Sequence, residues 1–493
     1  MRLTELLGDA AAGGGCASID AGAEVIGLTA DSREVEPGYL FAALPGQRVD
    51  GCRFVDDAVR RGAVALLMPP GGYPVVPDAN GAKTRVSVII DDNPRRRFAK
   101  LAARFYGRQP KTIAAVTGTN GKTSVTWFLR QIWESAGYPA ANLGTLGLRA
   151  PGRIEPGSLT TPDPVTLHRL LAQLAEAGVD HLAIEASSHG LAQYRLDGVR
   201  VAAAAFTNLT RDHLDYHGSA EVYRAAKRRL FVDLLSEGGA AVVNADSADG
   251  PTMVDGMPAS VRVVSFGAAG RDIRLHGIEP VAGGQRITVT SFGDAWTATV
   301  PLVGDFQISN ALCALGLAVV TGVDPASARD ALRSLKPVPG RLQHIFTSPE
   351  GATGFIDYAH TPDALAAALG ALRPPGGGRL VVVFGCGGDR DAGKRVEMGR
   401  IAAALADRVI VTDDNPRGEV ASAIRAAILA GCPDSIEIGD RAAAIRAAIE
   451  GLDPGDVLLV AGKGHETGQI VGDRVFPFDD AVVVGEAARE VFG

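Results

Sequence analysis

The sequence predicts an α/β protein of about three domains, built on parallel sheets with helices on both faces. Three observations carry this. Short apolar, β-branched runs such as Ile113 to Val116, Val201 to Phe206, Leu380 to Phe384 and Val457 to Val460 alternate with amphipathic helical stretches. That alternation marks strand–helix–strand units whose strands are buried on both faces. The runs end in polar, glycine-rich segments, and 61 glycines suit such turns. At 493 residues, roughly 150 residues per domain gives about three domains.

Bulk chemistry narrows the function classes. The composition is that of a globular chain, 46% hydrophobic and 21% charged. A net charge of −7 without a long basic run argues against a nucleic-acid partner. No stretch approaches the roughly 18 apolar residues of a membrane span. Arg2 followed by Glu5 makes a poor signal peptide. Cys16, Cys52, Cys313, Cys386 and Cys432 are scattered without CxxC spacing. They read as reduced structural thiols of a cytoplasmic protein, not as a disulfide frame or zinc site.

Residues 1–107 read as a small α/β domain. A Gly13-Gly14-Gly15 break precedes the polar cluster Asp31-Ser32-Arg33, which is either an Asp-capped turn or a functional loop. The apolar run Tyr39 to Leu44, the loop Gly46 to Gly51, a helix over Phe54 to Gly62 and strands at Val64 to Met68 and Val86 to Ile90 follow. Gly107-Arg108-Gln109-Pro110 is the expected linker.

The second domain, residues 108–338, opens on the stretch most telling for chemistry. After the strand Ile113 to Val116 come Gly118, Thr119, Asn120, Gly121, Lys122, Thr123 and Ser124, then a helix with Val125, Phe128, Leu129 and Ile132 on one face. Strand, glycine turn and helix point backbone N–H groups and the positive end of a helix dipole at a phosphate. Lys122 is suited to neutralise phosphate charge and the Thr123 hydroxyl to ligate Mg²⁺. Only two residues separate the glycines, fewer than in the common GxxxxGK[ST] loop, yet the context predicts an ATP site. Further on, the strand at Leu182 to Ile184 ends in Glu185, and Val201 to Phe206 runs into a loop with Asp212, His213, Asp215 and His217. Functional groups in such sheets gather at the carboxyl ends of strands. Glu185 and His213 there suggest magnesium held between protein and phosphates. Lys227, on the next helix, has no lone pair to offer a metal while protonated. It is left to hold a phosphate or acidic substrate, or to act as a carbamate. Asn310, in the helix after Gly304, either caps locally or faces the nucleotide.

The last domain, residues 339–493, follows the Pro337/Pro339 break. Its strands run into Tyr358 to Asp363, Gly385 to Arg390, Asp413 to Glu419 and Ala461 to Glu466. Gly385-Cys386-Gly387-Gly388 lacks the GxGxxG spacing of a dinucleotide loop, so an NAD site is not expected.

Taken in order, GTNGKT, EASSHG, TNLTRDHLDYHG, YRAAK, DYAHTPD, FGCGGDRDAGKR, DNPR and GKGHE cover residues 30 to about 470, and the chain resembles the Mur ligases, the ATP-dependent amino-acid ligases of peptidoglycan precursor synthesis. DHLDYHG with DNPR and GKGHE is similar to the branch that adds the third peptide residue, diaminopimelate. The resemblance implies a UDP-binding N-terminal domain, a central P-loop-type ATPase sheet and a C-terminal Rossmann-like sheet. It implies Ser32 at UDP, and Thr160, Thr161, Ser187, Gln193 and Arg195 at the UDP-muramoyl-dipeptide. It places Mg²⁺ on Thr123, Glu185 and His213, and makes Lys227 a carbamylated lysine. Asn310, Arg341 and Asp357 would line ATP with the phosphate loop, together with His360, which is also a candidate acceptor for the amine proton. Arg390, Asp414, Asn415, Pro416, Arg417, Gly462 and Glu466 would hold the incoming diaminopimelate. Gln343, where Glu is usual, and Val396, where Pro is common, depart from the family pattern. The expected reaction is acyl-phosphate formation at the dipeptide's D-glutamate followed by amine attack, in a monomeric cytoplasmic enzyme with small-molecule substrates and no membrane partner. Alternatives are a folylpolyglutamate synthase-like ligase, the lysine-adding member of the family, or a nucleotide switch without ligase chemistry.

Overall fold

The computed structural model describes residues 1–8, 16–18, 20, 22–46, 49–71, 86–374 and 376–493, with the side chains of residues 16–18 set aside. The Gly13-Gly14-Gly15 break, Gln47, Arg48 and the Cys16 thiol lie outside that description. The chain forms two compact units. The first comprises Met1–Ala115, Pro139–Ala202 and Arg229–Gly239; the second comprises Val116–Tyr138, Ala203–Arg228 and Ala240–Gly493.

In the first unit, a five-stranded sheet has the order Cys16–Ser18, Ser87–Ile90, Ala65–Met68, Tyr39–Ala42, Gly27–Thr29. All its pairs are parallel except the one made by Cys16–Ser18. The period-two rule is visible residue by residue. Leu40, Ala42, Ala65 and Leu67 face a core with Leu3, Leu6, Phe98 and Leu101. Phe41, Ala43, Leu66 and Met68 face the opposite core with Val55 and Ala58. Alternate residues thus feed different cores, which is why these strands are apolar throughout. Also in this unit, His181–Glu185 pairs in parallel with Ala140–Gly144, and Gly147–Ala150 and Arg153–Glu155 extend that edge antiparallel.

The second unit holds the C-terminal sheet, in the order Gln343–Thr347, Thr353–Asp357, Val457–Ala461, Leu380–Phe384, Arg408–Val411, Ile436–Glu437. Only the first pair is antiparallel. Leu380, Val382, Phe384, Leu459 and Ala461 face one core, and Val381, Val383, Leu458 and Val460 the other. The chain leaves Thr353–Asp357, skips one position to Leu380–Phe384, and later fills the gap with Val457–Ala461. Such an order opens a crevice at the carboxyl ends of the strands, where ligands bind in doubly wound sheets. The unit also contains a run absent from the sequence reading: Ile273–Val281, Gly284–Ser291 and Asp294–Val300 form an antiparallel meander. The four described cysteines are free thiols. Among the described residues no helix is long and apolar enough to cross a membrane.

Candidate active site

The strand Thr112–Thr117 delivers the chain to Gly118, and the helix Lys122–Ser135 starts four residues later. Between them the loop has no room for side chains at its glycines. A Cβ on Gly118 would stand 1.9 Å from Thr207 Oγ1, and one on Gly121 would stand 2.3 Å from Asn310 Oδ1. Gly121 also has φ of 89°, a left-handed conformation that glycine adopts without strain. The loop is pinned to the segment after Val201–Phe206: Thr119 N–H donates to Asn208 O (2.8 Å), Asn120 N–H to Asn208 Oδ1 (2.9 Å), and Thr207 Oγ1 to Asn120 O (2.6 Å). Lys122 Nζ folds back onto the carbonyls of Gly118 (2.9 Å) and Thr119 (2.8 Å). No side chain caps the helix start at Gly121, so its first N–H groups are donors of the kind that bind phosphate. The cradle therefore fits a nucleotide's phosphates.

Two side chains from distant sequence reach this loop. Arg341 Nη2 lies 3.4 Å from Thr123 Oγ1, with its guanidinium 4.3 Å from the centre of the Tyr358 ring. Asn310 lies against the loop: its oxygen abuts Gly121 while its amide bonds Gln307 Oε1 at 3.1 Å. Asp357 is buried, accepts from Leu342 N–H (2.6 Å) and is pushed up to about 6 by burial, against the pull of Arg341. Gln343, the departure from the family's Glu, accepts from Gly340 N–H at 2.7 Å and braces the turn before Arg341.

Lys227 and Tyr223 sit one turn apart on the helix Ala220–Arg229, which points both at the phosphate loop. Tyr223 OH lies 3.1 Å from Thr119 Oγ1, and Lys227 Nζ donates to Gly118 O at 2.7 Å. Lys227 is 1% exposed. Burial, then the charge of Lys122, push its pKa well below the usual lysine range, which favours the neutral, nucleophilic form of the amine. His213, with a φ of 53°, pairs with Asp212 at 3.3 Å. Burial carries its pKa down to about 4, against Asp212 and with the help of Lys122 and Lys227. A neutral imidazole has a lone pair for a metal. Among the described residues no three His, Cys, Asp or Glu side chains converge. Mg²⁺ takes oxygen donors such as the Thr123 hydroxyl or a carboxylate and completes its shell with phosphate and water.

In the first unit the residues expected at the dipeptide form one connected cluster. Thr161 Oγ1 donates to Glu185 O (2.8 Å) and lies 3.0 Å from Ser187 Oγ, while Arg195 reaches Thr161 O (2.7 Å) and Gln193 Oε1 (2.7 Å). Thr160 Oγ1 is 3.0 Å from Thr145 Oγ1, which also bonds Glu185 Oε2 at 3.1 Å. Thr145 N–H reaches Glu185 Oε1 at 2.8 Å, and a Cβ at Gly144 would stand 2.1 Å from that oxygen. Thr145 was missed by sequence reasoning; it lies in no motif. Ser32 is buried in a turn capped by Asp31, whose side chain accepts from Arg33 N–H.

The crevice of the C-terminal sheet opens into a cavity of about 200 Å³. Asp212, His213 and His360 line one part of it; Asp414, Arg417 and Glu466 line another. His360 Nδ1 is 2.8 Å from Tyr358 O, which fixes the tautomer with Nε2 as acceptor, and Lys394 Nζ donates to His360 O at 2.7 Å. Burial and then Lys394 lower the His360 pKa. Arg417 adopts φ of 51° and donates to Gly388 O at 3.0 Å, with its N–H on Ile470 O. Pro416 O would clash at 1.9 Å with a Cβ on Gly388, and Asp414 Oδ2 at 2.5 Å with one on Gly462. Asn415 Nδ2 donates to Glu466 Oε2 (2.8 Å). Arg390 is exposed at the rim. Sequence reasoning missed Lys463 inside the GKGHE motif. Fully buried, it donates to Asn415 Oδ1 (3.1 Å) and Glu466 Oε2 (3.2 Å). Lys394 and Asp212 were likewise given no role from sequence.

Comparison with known proteins gives a consistent result along the chain. Residues 24–106 match the Mur ligase family catalytic domain, 116–318 the Mur ligase middle domain, and 340–464 the Mur ligase glutamate ligase domain. A protein of Bradyrhizobium diazoefficiens named UDP-N-acetylmuramoyl-L-alanyl-D-glutamate–2,6-diaminopimelate ligase is 54% identical over 99% of both chains. Its namesake from Mesorhizobium japonicum is 52% identical over 97% of both. A solved structure of a ligase of that name superposes with a TM-score of 0.69 at 32% identity, covering 99% of both chains. The chain belongs to the Mur ligase family.

Proposed function

We propose that the chain is an ATP-dependent acid–amino-acid ligase that joins meso-diaminopimelate to UDP-N-acetylmuramoyl-L-alanyl-D-glutamate, giving the UDP-muramoyl-tripeptide of peptidoglycan synthesis with ADP and phosphate. The names of the relatives support the substrates. The observation that carries the reading is the single cavity that joins the His213 loop, beside the phosphate loop, to the Asp414, Arg417 and Glu466 loops. A ligase needs its phosphoryl donor and its amine side by side. We read residues 1–107, 108–338 and 339–493 as the UDP-binding, ATP-binding and amino-acid-binding domains of a monomeric cytoplasmic enzyme.

In this reading the γ-phosphoryl of ATP passes to the free carboxylate of the dipeptide's D-glutamate; the new P–O bond forms as the bond to ADP breaks. The amine then attacks the acyl carbon, and the tetrahedral intermediate collapses with loss of phosphate and a proton. Lys122, the loop amides and Arg341 stabilise the transferring charge, since phosphoryl transfer is catalysed by positioning and electrostatics. Ser32 holds the uridine end; Thr160, Thr161, Ser187, Gln193 and Arg195 hold the dipeptide. Thr123, Glu185 and His213 would hold Mg²⁺, which when bound supplies positive charge to the phosphate oxygens. The Lys227 amine, whose neutral form burial favours, is suited to add to CO₂, giving a carbamate with release of a proton to solvent. His360 Nε2 is the candidate acceptor for the amine proton.

Diaminopimelate carries a distal carboxylate that lysine lacks, and Arg417 is the guanidinium suited to pair with it bidentately. Arg417→Ala should weaken diaminopimelate use by about 100-fold and leave lysine use low or slightly raised. Amino-acid-dependent phosphate release with each substrate, for wild type and variant, measures this. A wild type that prefers lysine, or a variant with unchanged diaminopimelate use, would count against the reading.

A further inference from the structure

One buried ion pair behind the amino-acid loops has no role in the reaction described above. Arg441 and Asp480 are both fully buried, with Nε–Oδ1 and Nη2–Oδ2 distances of 2.7 Å. Two further donors of Arg441 reach main-chain oxygens: Ala461 O at 3.0 Å and Asp413 O at 3.4 Å. Each carbonyl immediately precedes a site residue, Gly462 in one case and Asp414 in the other.

Ala461 ends one strand and Asp413 lies two residues beyond another, and those strands do not touch. Val457–Ala461 and Arg408–Val411 are separated in the sheet by Leu380–Phe384, so no ladder hydrogen bond joins them directly. The loops beyond nevertheless approach closely, since a Cβ at Gly462 would stand 2.5 Å from Asp414 Oδ2. A planar guanidinium with five donors is the side chain able to bind a carboxylate in fork geometry and two carbonyls at once.

Stability alone does not account for the arrangement. Arg441 opens the helix Arg441–Glu450, where a positive charge opposes the helix dipole. Burying an ion pair costs desolvation that its attraction often only repays, and apolar replacement of both partners is often neutral or stabilising.

We propose that Arg441, held by Asp480, is a positioning residue for the incoming amino acid: it sets the spacing between the loop bearing Asp414, Asn415 and Arg417 and the loop bearing Gly462 and Glu466. This rests on the functional reading above, in which those loops hold the amino acid. Arg441→Met with Asp480→Leu removes the charges together; Arg441→Lys keeps the charge but supplies one ammonium in place of a fork.

The test is steady-state kinetics of both variants, with thermal melting to establish folding. In folded variants the KM for diaminopimelate should rise roughly 10- to 100-fold, the range a small misplacement costs. The KM values for ATP and the UDP-dipeptide, and kcat at saturating amino acid, should stay within about twofold of wild type on the same reasoning. Folded variants with a wild-type KM for diaminopimelate would overturn the proposal. So would a failure of both variants to fold, the result expected of a purely structural pair. A wild type without diaminopimelate-dependent turnover would instead remove the functional reading on which the proposal stands.

Discussion

Two fully buried basic side chains in the second unit are handled in opposite ways. Arg441 faces a carboxylate across two short hydrogen bonds, and although burial opposes its charge, Asp480 outweighs that cost and raises its pKa. Lys227 has no carboxylate in ion-pair range among the described residues; its amine meets the Gly118 carbonyl and the face of the Tyr223 ring, 4.3 Å away. Burial pushes its pKa well below the usual lysine range. The difference teaches where chemistry is available. A paired guanidinium is held in its charged form, whereas burial beside a phosphate loop favours the neutral, reactive form of an amine. Lys463 is a third buried base, whose amine donates to Asn415 and Glu466.

The comparison breaks most visibly at Lys227. If the neutral amine becomes a carbamate, Lys227→Ala should lose on the order of 1,000-fold in turnover, the scale of removing a preorganised charge. Added short carboxylates such as formate should restore part of it by replacing the missing anion. A fully active Lys227→Arg enzyme would contradict this, because guanidinium keeps its charge and forms no carbamate.

A smaller effect sharpens the same contrast away from the site. His168 is buried, with Nε2 3.4 Å from Asp197 O, and burial lowers its pKa from 6.5 to about 4, against that bond. A base without a carboxylate should again be neutral in the fold. Its pKa is depressed on folding, so its contribution is full above pH 6.5 and is lost as pH falls toward 4. The size is about 3 kcal/mol at one unit per 1.4 kcal/mol. Urea unfolding of wild type and His168→Asn between pH 7 and 4 should show a shallower pH dependence in the variant; equal slopes would contradict it.

What was legible in the sequence is what lies contiguous in it. The runs Leu380 to Phe384 and Val457 to Val460 declared themselves as doubly buried strands because every residue is apolar. The phosphate loop was readable because strand, glycines, Lys122 and helix follow one another without a gap. The meander over residues 273–300 was present in the sequence but went unread: Gln285, Ile287, Val289 and Ser291 alternate inward between turns at Gly283-Gly284 and Gly293, the period-two signal of a half-buried strand. The Arg441–Asp480 pair was not readable at all. Its members are 39 residues apart, on different helices, and nothing in either local pattern announces the other. Lys463 shows a third case: the motif was seen, but the burial that ties it to Asn415 depends on a loop 48 residues away.

The most direct test of the whole account is ADP release by the wild-type chain with ATP and Mg²⁺, omitting the UDP-muramoyl-dipeptide and the amino acid in turn. Sustained release is expected only with the dipeptide and diaminopimelate present together, with one UDP-tripeptide formed for each ADP. The dipeptide alone should give at most about one ADP per enzyme, from the acyl-phosphate half-reaction. Continuous ADP release with either substrate omitted, or without peptide product, would contradict the assignment.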